Sequence, residues 1–167
     1  MATAFRSRKG RFTSTWETAE VAVVLHLLRL THDFVAPERE ATGDPFLDLV
    51  AGLGGTVDPE EPSDPALRRL LPPAHHTDAE QAAEFRRLTE HTLRSRKAAN
   101  LATAITALSE ALPTDGDHEP DEPVKLALDP DQARALTMAL TDIRLILGER
   151  LGMHTEEDSE RLHEEFA

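Results

Sequence analysis

The chain has no cysteine, and that absence removes more chemistry than any residue present supplies. Disulfides, thiolate nucleophiles, thiol redox switches and cysteine-based zinc or iron–sulfur sites all need a sulfur that is missing. Long apolar runs are missing too. The most apolar stretch, Val21 to Leu30, is broken by His26 and Arg29, far short of the roughly 18 uninterrupted residues of a membrane span. Residues 1–11 are basic but hold no apolar h-region, so they do not read as a secretory signal. Without export signal or cysteine, the expected location is the cytoplasm, and no membrane partner is expected. Nucleophile and phosphate-binding motifs are absent as well: there is no Gly-x-Ser-x-Gly elbow, no Walker loop and no Gly-x-Gly-x-x-Gly. Gly52-Leu53-Gly54-Gly55 lacks the lysine and following helix of a P-loop. No catalytic residue, cofactor site or metal-ligand set is legible. An enzyme would have to use a site of unrecognised type, and that reading is unsupported rather than excluded.

What is present is acid. The 167 residues carry a formal charge of −13, which sets the average surface against phosphate and disfavours direct nucleic-acid binding. The charge is uneven. Arg6, Arg8, Lys9 and Arg11 all precede the first acid, Glu17, whereas acids gather at 58–64, 115–122 and 156–165. The basic N-terminal arm is the one segment suited to a phosphate backbone or an acidic protein; a solvated tail is the more ordinary reading.

Periodicity predicts a mainly α, single-domain helical bundle with three longer helices and two short ones. The domain is expected over 11–153, between a flexible basic arm at 1–10 and an acidic tail or short helix at 154–167. Arg11 to Trp16 alternates as a strand. A helix follows from Thr18 to Val35, with Val21, Val24, Leu25, Leu28, His32 and Val35 on one stripe. Asp44-Pro45 and Asp64-Pro65 place an acid at an N-cap and a proline at N1, opening short helices near 45–52 and 65–71. Thr77-Asp78-Ala79-Glu80 reads as a capping box for the longest helix, about 78–111, with Phe85, Leu88, Thr92, Ser95, Ala99, Ala102 and Ile105 along one face. Val124 to Leu128 alternates again, and Asp129-Pro130 opens the last main helix, to about Arg150, with Gly152 closing it. A shift of 112 positions lays Phe12 on Val124, Trp16 on Leu128 and Val21 on Ala133. This suggests a repeated strand–helix unit whose strands, 11–16 and 124–128, pair as a small ribbon.

Two constellations stand out. Five bases fall within twelve residues of the central helix. Arg86, Arg87, Arg94 and Lys97 share one arc at 100° per residue, with Glu90 among them. They are candidates for docking a partner protein; internal pairing at i,i+4 is the alternative. His32 and Arg144 sit at positions of the apolar stripes, and a buried charge there needs a partner. With Asp142, they are candidate structural polar residues that fix helix register across the core. His75-His76, beside Asp78 and Glu80, do not share a helical face and read as surface histidines rather than metal ligands.

Several runs resemble the actinobacterial AosR-like family, a catalogued domain of unknown function: Asp64-Pro65-Ala66-Leu67-Arg68-Arg69-Leu70-Leu71-Pro72, Glu84 to Glu90 continuing to Asn100, and Leu140 to Gly152, behind the opening strand and helix. Their order and spacing span about 11–158. The resemblance implies a mainly helical fold and a regulatory role linked to stress and transcription, with genes beside that of a Clp-protease adaptor. Thiol sensing in such proteins would rest on a cysteine pair, which this chain lacks, so that property does not carry over. The expected function is a non-catalytic regulatory or interaction protein with a protein partner. An accessory factor for Clp proteolysis and an enzyme are the alternatives; homodimerisation is left open.

Overall fold

The computed structural model describes residues 2–37, 62–74, 77–112 and 123–166. It is mainly α. Strands β1 (Arg6–Arg8) and β2 (Arg11–Trp16) lead into helix α1 (Thr18–Val35). Then come α2 (Pro65–Leu70), α3 (Ala79–Ala111), β3 (Val124–Leu128), α4 (Pro130–Arg150) and α5 (Glu156–Phe166). The helix expected near 45–52 and the histidine pair at 75–76 lie outside the described residues. Among those described, no helix is long and apolar enough to cross a membrane.

The chain divides into two units, Met1–Val35 with Arg96–Ile143, and Ala36–Ser95 with Arg144–Ala167. The first holds a three-stranded antiparallel sheet in the order β1-β2-β3. Within the stretch 1–10, expected as a flexible arm, Arg6–Arg8 form its first strand. Lys9 and Gly10 both take positive φ, 51° and 75°, and close a two-residue hairpin in which Arg8 opposes Arg11. Such turns match the right-handed strand twist and usually announce themselves as Asn-Gly or Asp-Gly. Lys-Gly is a poor announcement, which is why the strand was hidden. The chain before β1 is tied down as well: Thr3 N donates to Thr15 O at 2.9 Å, Thr15 N donates to Thr3 Oγ1 at 2.9 Å and Ser14 Oγ donates to Thr3 O at 2.6 Å.

The expected ribbon is real. Phe12 pairs with Leu128, Ser14 with Leu126 and Trp16 with Val124. This register is centred on Ser14 and Leu126, which the 112-position shift superimposes, so the two strands are related by a local two-fold. The helices behind them start at Thr18 and Pro130, the same offset apart. The inner sheet face buries Trp16, Val124, Leu126 and Leu128. The one buried hydroxyl there, Ser14, accepts from Trp16 Nε1 at 2.9 Å, so neither polar atom is stranded. Val21, Leu25, Leu28 and Val35 of α1, Leu101, Ala104 and Leu108 of α3, and Leu136, Ala139 and Ile143 of α4 complete this unit's core.

Helix ends are set by side-chain caps. Glu20 accepts from Glu17 N at 2.9 Å, and Asp129 accepts from Gln132 N at 2.8 Å while Gln132 answers at Asp129 N. At α3 the cap is Asp78, accepting from Gln81 N at 3.0 Å, one residue later than the Thr77 box implied. Gly152, at φ 67°, ends α4 as Met153 N reaches back to Gly148 O at 2.8 Å. In the second unit Asp64 caps α2 by accepting from Ala66 N at 2.8 Å, and its other oxygen accepts from Arg150 at 2.6 Å. The Arg150 hydrogen bond, with the backbone donors adding to it, holds the Asp64 carboxyl below its ordinary range.

A depressed carboxyl contributes stability above its unfolded pKa and loses it as pH falls through the folded value. Replacing Asp64 by Ala should therefore cost about 1 kcal/mol near neutrality, the usual worth of an N-cap. The penalty should shrink below about pH 4, the unfolded aspartate value. Urea unfolding of both proteins across pH 3–7 measures it; a penalty constant with pH would show that the charge of Asp64 does nothing.

Candidate interaction surfaces

Cations are placed in two opposite ways. On α3 three of them, Arg86, Arg94 and Lys97, turn inward. Arg94 Nε donates to Glu90 Oε1 at 2.8 Å, and Arg86 Nε lies 3.6 Å from Glu90 Oε2. The three side chains are only 17%, 12% and 10% exposed for Arg94, Arg86 and Glu90. Lys97 donates to Asp142 Oδ1 at 2.6 Å, with the two side chains 16% and 5% exposed. Of the four residues singled out for docking, Arg87 alone is well exposed, and it holds Glu84 at 2.7 Å and 3.0 Å. That hydrogen bond pulls the Glu84 carboxyl below its ordinary range.

The apolar face read from the sequence is displaced accordingly. Phe85, Leu88, Thr92, Ala99 and Ala102 are exposed, whereas Ala82, Glu90, Leu101, Ala104 and Leu108 are buried. A buried face that carries Arg86, Glu90, Arg94 and Lys97 has no apolar period to detect. The other predicted polar group also separates. Asp142 takes Lys97 as its partner, His32 is half-buried with Nδ1 3.3 Å from the neighbouring Asp33 carboxylate, and Arg144 is exposed.

One atom of the α3 cluster is unsatisfied: Glu90 Oε2 is buried without a hydrogen-bond donor among the described residues. Glu90, Arg86 and Thr89 line a cleft of about 40 Å³ together with Pro72, Pro73 and Phe85. That space suits a water molecule or two. A wider, open groove of about 490 Å³ runs past Pro65, Arg68, Arg69, Leu145 and Glu149; there Arg69 Nε sits 3.5 Å from Glu149.

The outer face of the sheet is the reverse case. Residues directly opposite on neighbouring strands share a face, and alternate residues along a strand do too. The register sets Arg6 opposite Thr13, Arg8 opposite Arg11, Thr13 opposite Ala127 and Thr15 opposite Lys125. Arg6, Arg8, Arg11 and Lys125 therefore share one face, on a floor of Thr13, Thr15 and Ala127, with Lys9 at the hairpin tip. All five cations are exposed, and among the described residues none is held in an ion pair. Arg8 and Arg11 stand directly opposite each other, an arrangement that destabilises a ladder.

The chain matches the family described as a domain of unknown function, DUF2017, over residues 2–166. It belongs to that family. The match covers the hairpin that carries the cationic face as well as both long central helices, so these are parts of the DUF2017 domain and not additions to it. No curated protein and no solved structure matches the chain.

Proposed function

We propose that this DUF2017 protein is a non-catalytic regulatory protein of the AosR-like, actinobacterial kind, acting in the cytoplasm. It binds an acidic segment of a partner protein on the outer face of its sheet. The observation that carries this reading is the pairing of Arg8 with Arg11 in a tight hairpin, beside Arg6 and Lys125, with no acid among them on that face. Such a cluster costs folding energy through like-charge repulsion. An anionic partner turns the cost into affinity and steers encounter. A protein partner is favoured over nucleic acid for two reasons. The molecule as a whole carries −13, and the face offers Thr13, Thr15 and Ala127 but no aromatic ring on which a base could stack. Arg86, Arg94 and Lys97 are not used for docking in this reading, because their guanidinium and ammonium groups already hold Glu90 and Asp142, and Arg87 is held by Glu84 on the same helix. Without cysteine, regulation works through occupancy of the face and not through thiol oxidation.

The test compares capture from a native lysate by the wild type and by the triple variant Arg6→Glu, Arg8→Glu, Arg11→Glu, at low salt and at about 300 mM, where exposed charges are largely screened. The expected result is a protein band lost both in the variant and in salt, with unchanged circular dichroism. A band indifferent to the reversal would sink the face as the docking site. Capture of nucleic acid in its place would overturn the choice of partner.

A further inference from the structure

Strand β1 is an edge of the sheet, and the ladder fixes which way its free backbone groups point. In an antiparallel pair, residues along a strand turn their N–H and C=O alternately toward one neighbour and away from it. Thr15 turns toward the N-terminal segment, since Thr3 N donates to Thr15 O at 2.9 Å. Thr13 and Arg11 therefore turn the same way and bond Arg6 and Arg8, their partners in the register. Ser7, between those two, turns its N–H and C=O outward. Among the described residues neither group has a hydrogen-bond partner. Arg6, Ser7 and Arg8 are all exposed, so the strand is open on both of its faces.

Charged side chains on an edge strand ordinarily repel further strands. Arg6 and Arg8 do so selectively. A second copy is refused, because β1 against β1 about a two-fold axis at Ser7 sets Arg6 opposite Arg8 twice. A strand with acids at the two flanking positions meets two cations instead. We infer that the partner's acidic segment adds to β1 as a fourth, antiparallel strand with the pattern acid–x–acid. Residue x exchanges both backbone hydrogen bonds with Ser7, and the two acids stand opposite Arg6 and Arg8 on the cationic outer face. Residue x itself lies on the other face beside Ser7. There Phe5 meets Trp16 edge-on at 6.3 Å and is 41% exposed, so an apolar x fits. Charge selects this edge over the opposite one, where the outermost column holds Lys125 and Ala127 and offers one cation in place of two. The inference rests on the outer face being the docking site and adds how the segment lies on it.

The probe is the capped peptide Gly-Glu-Val-Glu-Gly, titrated to about 10 mM because so small a contact binds weakly. Amide shifts and hydrogen exchange of the isotope-labelled protein are the readout. The expected result is a saturable shift centred on Ser7, with exchange of its amide slowed. N-methylation of the valine removes the N–H that donates to Ser7 O and should weaken binding about tenfold, one hydrogen bond's worth. The same methyl on the first glutamate, whose N–H points away from the sheet in this pairing, should cost less than about twofold. Ser7→Pro removes the matching donor at a place where an edge strand tolerates proline, and it leaves the cations in place. It should also weaken binding about tenfold, read at neighbouring amides. The methylated peptides act on the wild type, so their result stands whether or not the proline variant folds. Binding that is lost in the variant Arg6→Glu, Arg8→Glu, Arg11→Glu but is blind to both methyls would overturn strand addition and leave the face as the docking site. Binding indifferent to that charge reversal would overturn the docking face as well. No binding of the unmodified peptide, or a glutamate methyl that costs as much as the valine methyl, would also overturn the inference.

Discussion

Replacing Glu90 by Ala is expected to lower unfolding free energy by about 3 kcal/mol, at the lower end of the cost of breaking a buried ion pair. For a chain of this size that is a fall of roughly 6–12 °C in melting temperature. The reason is what remains. Arg86 and Arg94 are 12% and 17% exposed, and both are oriented by one carboxylate. Without it, two guanidinium groups face each other in a space that water reaches poorly, and each long side chain must unpack to find solvent. The low end of the range is chosen because a cleft of about 40 Å³ already touches the cluster and admits some water. The control is a triple replacement, Arg86→Met, Glu90→Leu, Arg94→Met. Removing every charge of a buried cluster together is commonly neutral or stabilising, so this variant should recover most of the loss. A Glu90→Ala protein that melts with the wild type would show that the arginines are solvated in the native state.

Lys97→Met should have an effect as large, about 3–4 kcal/mol, for the opposite charge. Asp142 is 5% exposed on α4 and receives the Lys97 ammonium at 2.6 Å. Methionine keeps the stem of Lys97 in place and removes only the ammonium, leaving a buried carboxylate without its cation. Lys97 and Asp142 lie 45 positions apart and join α3 to α4 within the first unit, so the loss falls on the core. Adding Asp142→Leu to Lys97→Met should restore stability, and chemical denaturation of the four proteins of the cycle reads the coupling directly. Additive effects of the two substitutions would mean that the pair contributes no more than its separate packing.

These two clusters mark where reading the residues one by one stops. Arg86, Glu90 and Arg94 are visible in the sequence as i,i+4 partners, and both docking and internal pairing are compatible with that spacing. Which holds depends on whether their arc faces the core, and the apolar pattern of α3 indicates the wrong side. Large Phe85 and Leu88 are outside, small Ala82 and Ala104 are inside, and the charged residues among the latter erase the period. Asp142 is legible as a residue in need of a cross-helix partner, yet Lys97 rather than His32 or Arg144 meets it. That choice depends on the relative rotation of two helices, to which no local signal points. Lys125 joins Arg6, Arg8 and Arg11 only through a register between strands more than a hundred residues apart.

By itself the sequence determined the kind of chemistry and the local segments: no thiol mechanism, because there is no sulfur, a mainly helical chain, and the start of each described long helix within a residue or so. Those properties are local, set by side-chain caps, prolines at N1 and periodicity within a few turns. Tertiary structure alone decided which face of α3 is inside, that Arg6–Arg8 pair as a strand, and which cations are spent on buried carboxylates and which stand exposed on the sheet. The physical reason is that a charge's role depends on what lies within a few ångströms of it, and for Lys97, Asp142, Arg8 and Lys125 those neighbours come from other elements, brought near only when the chain has packed.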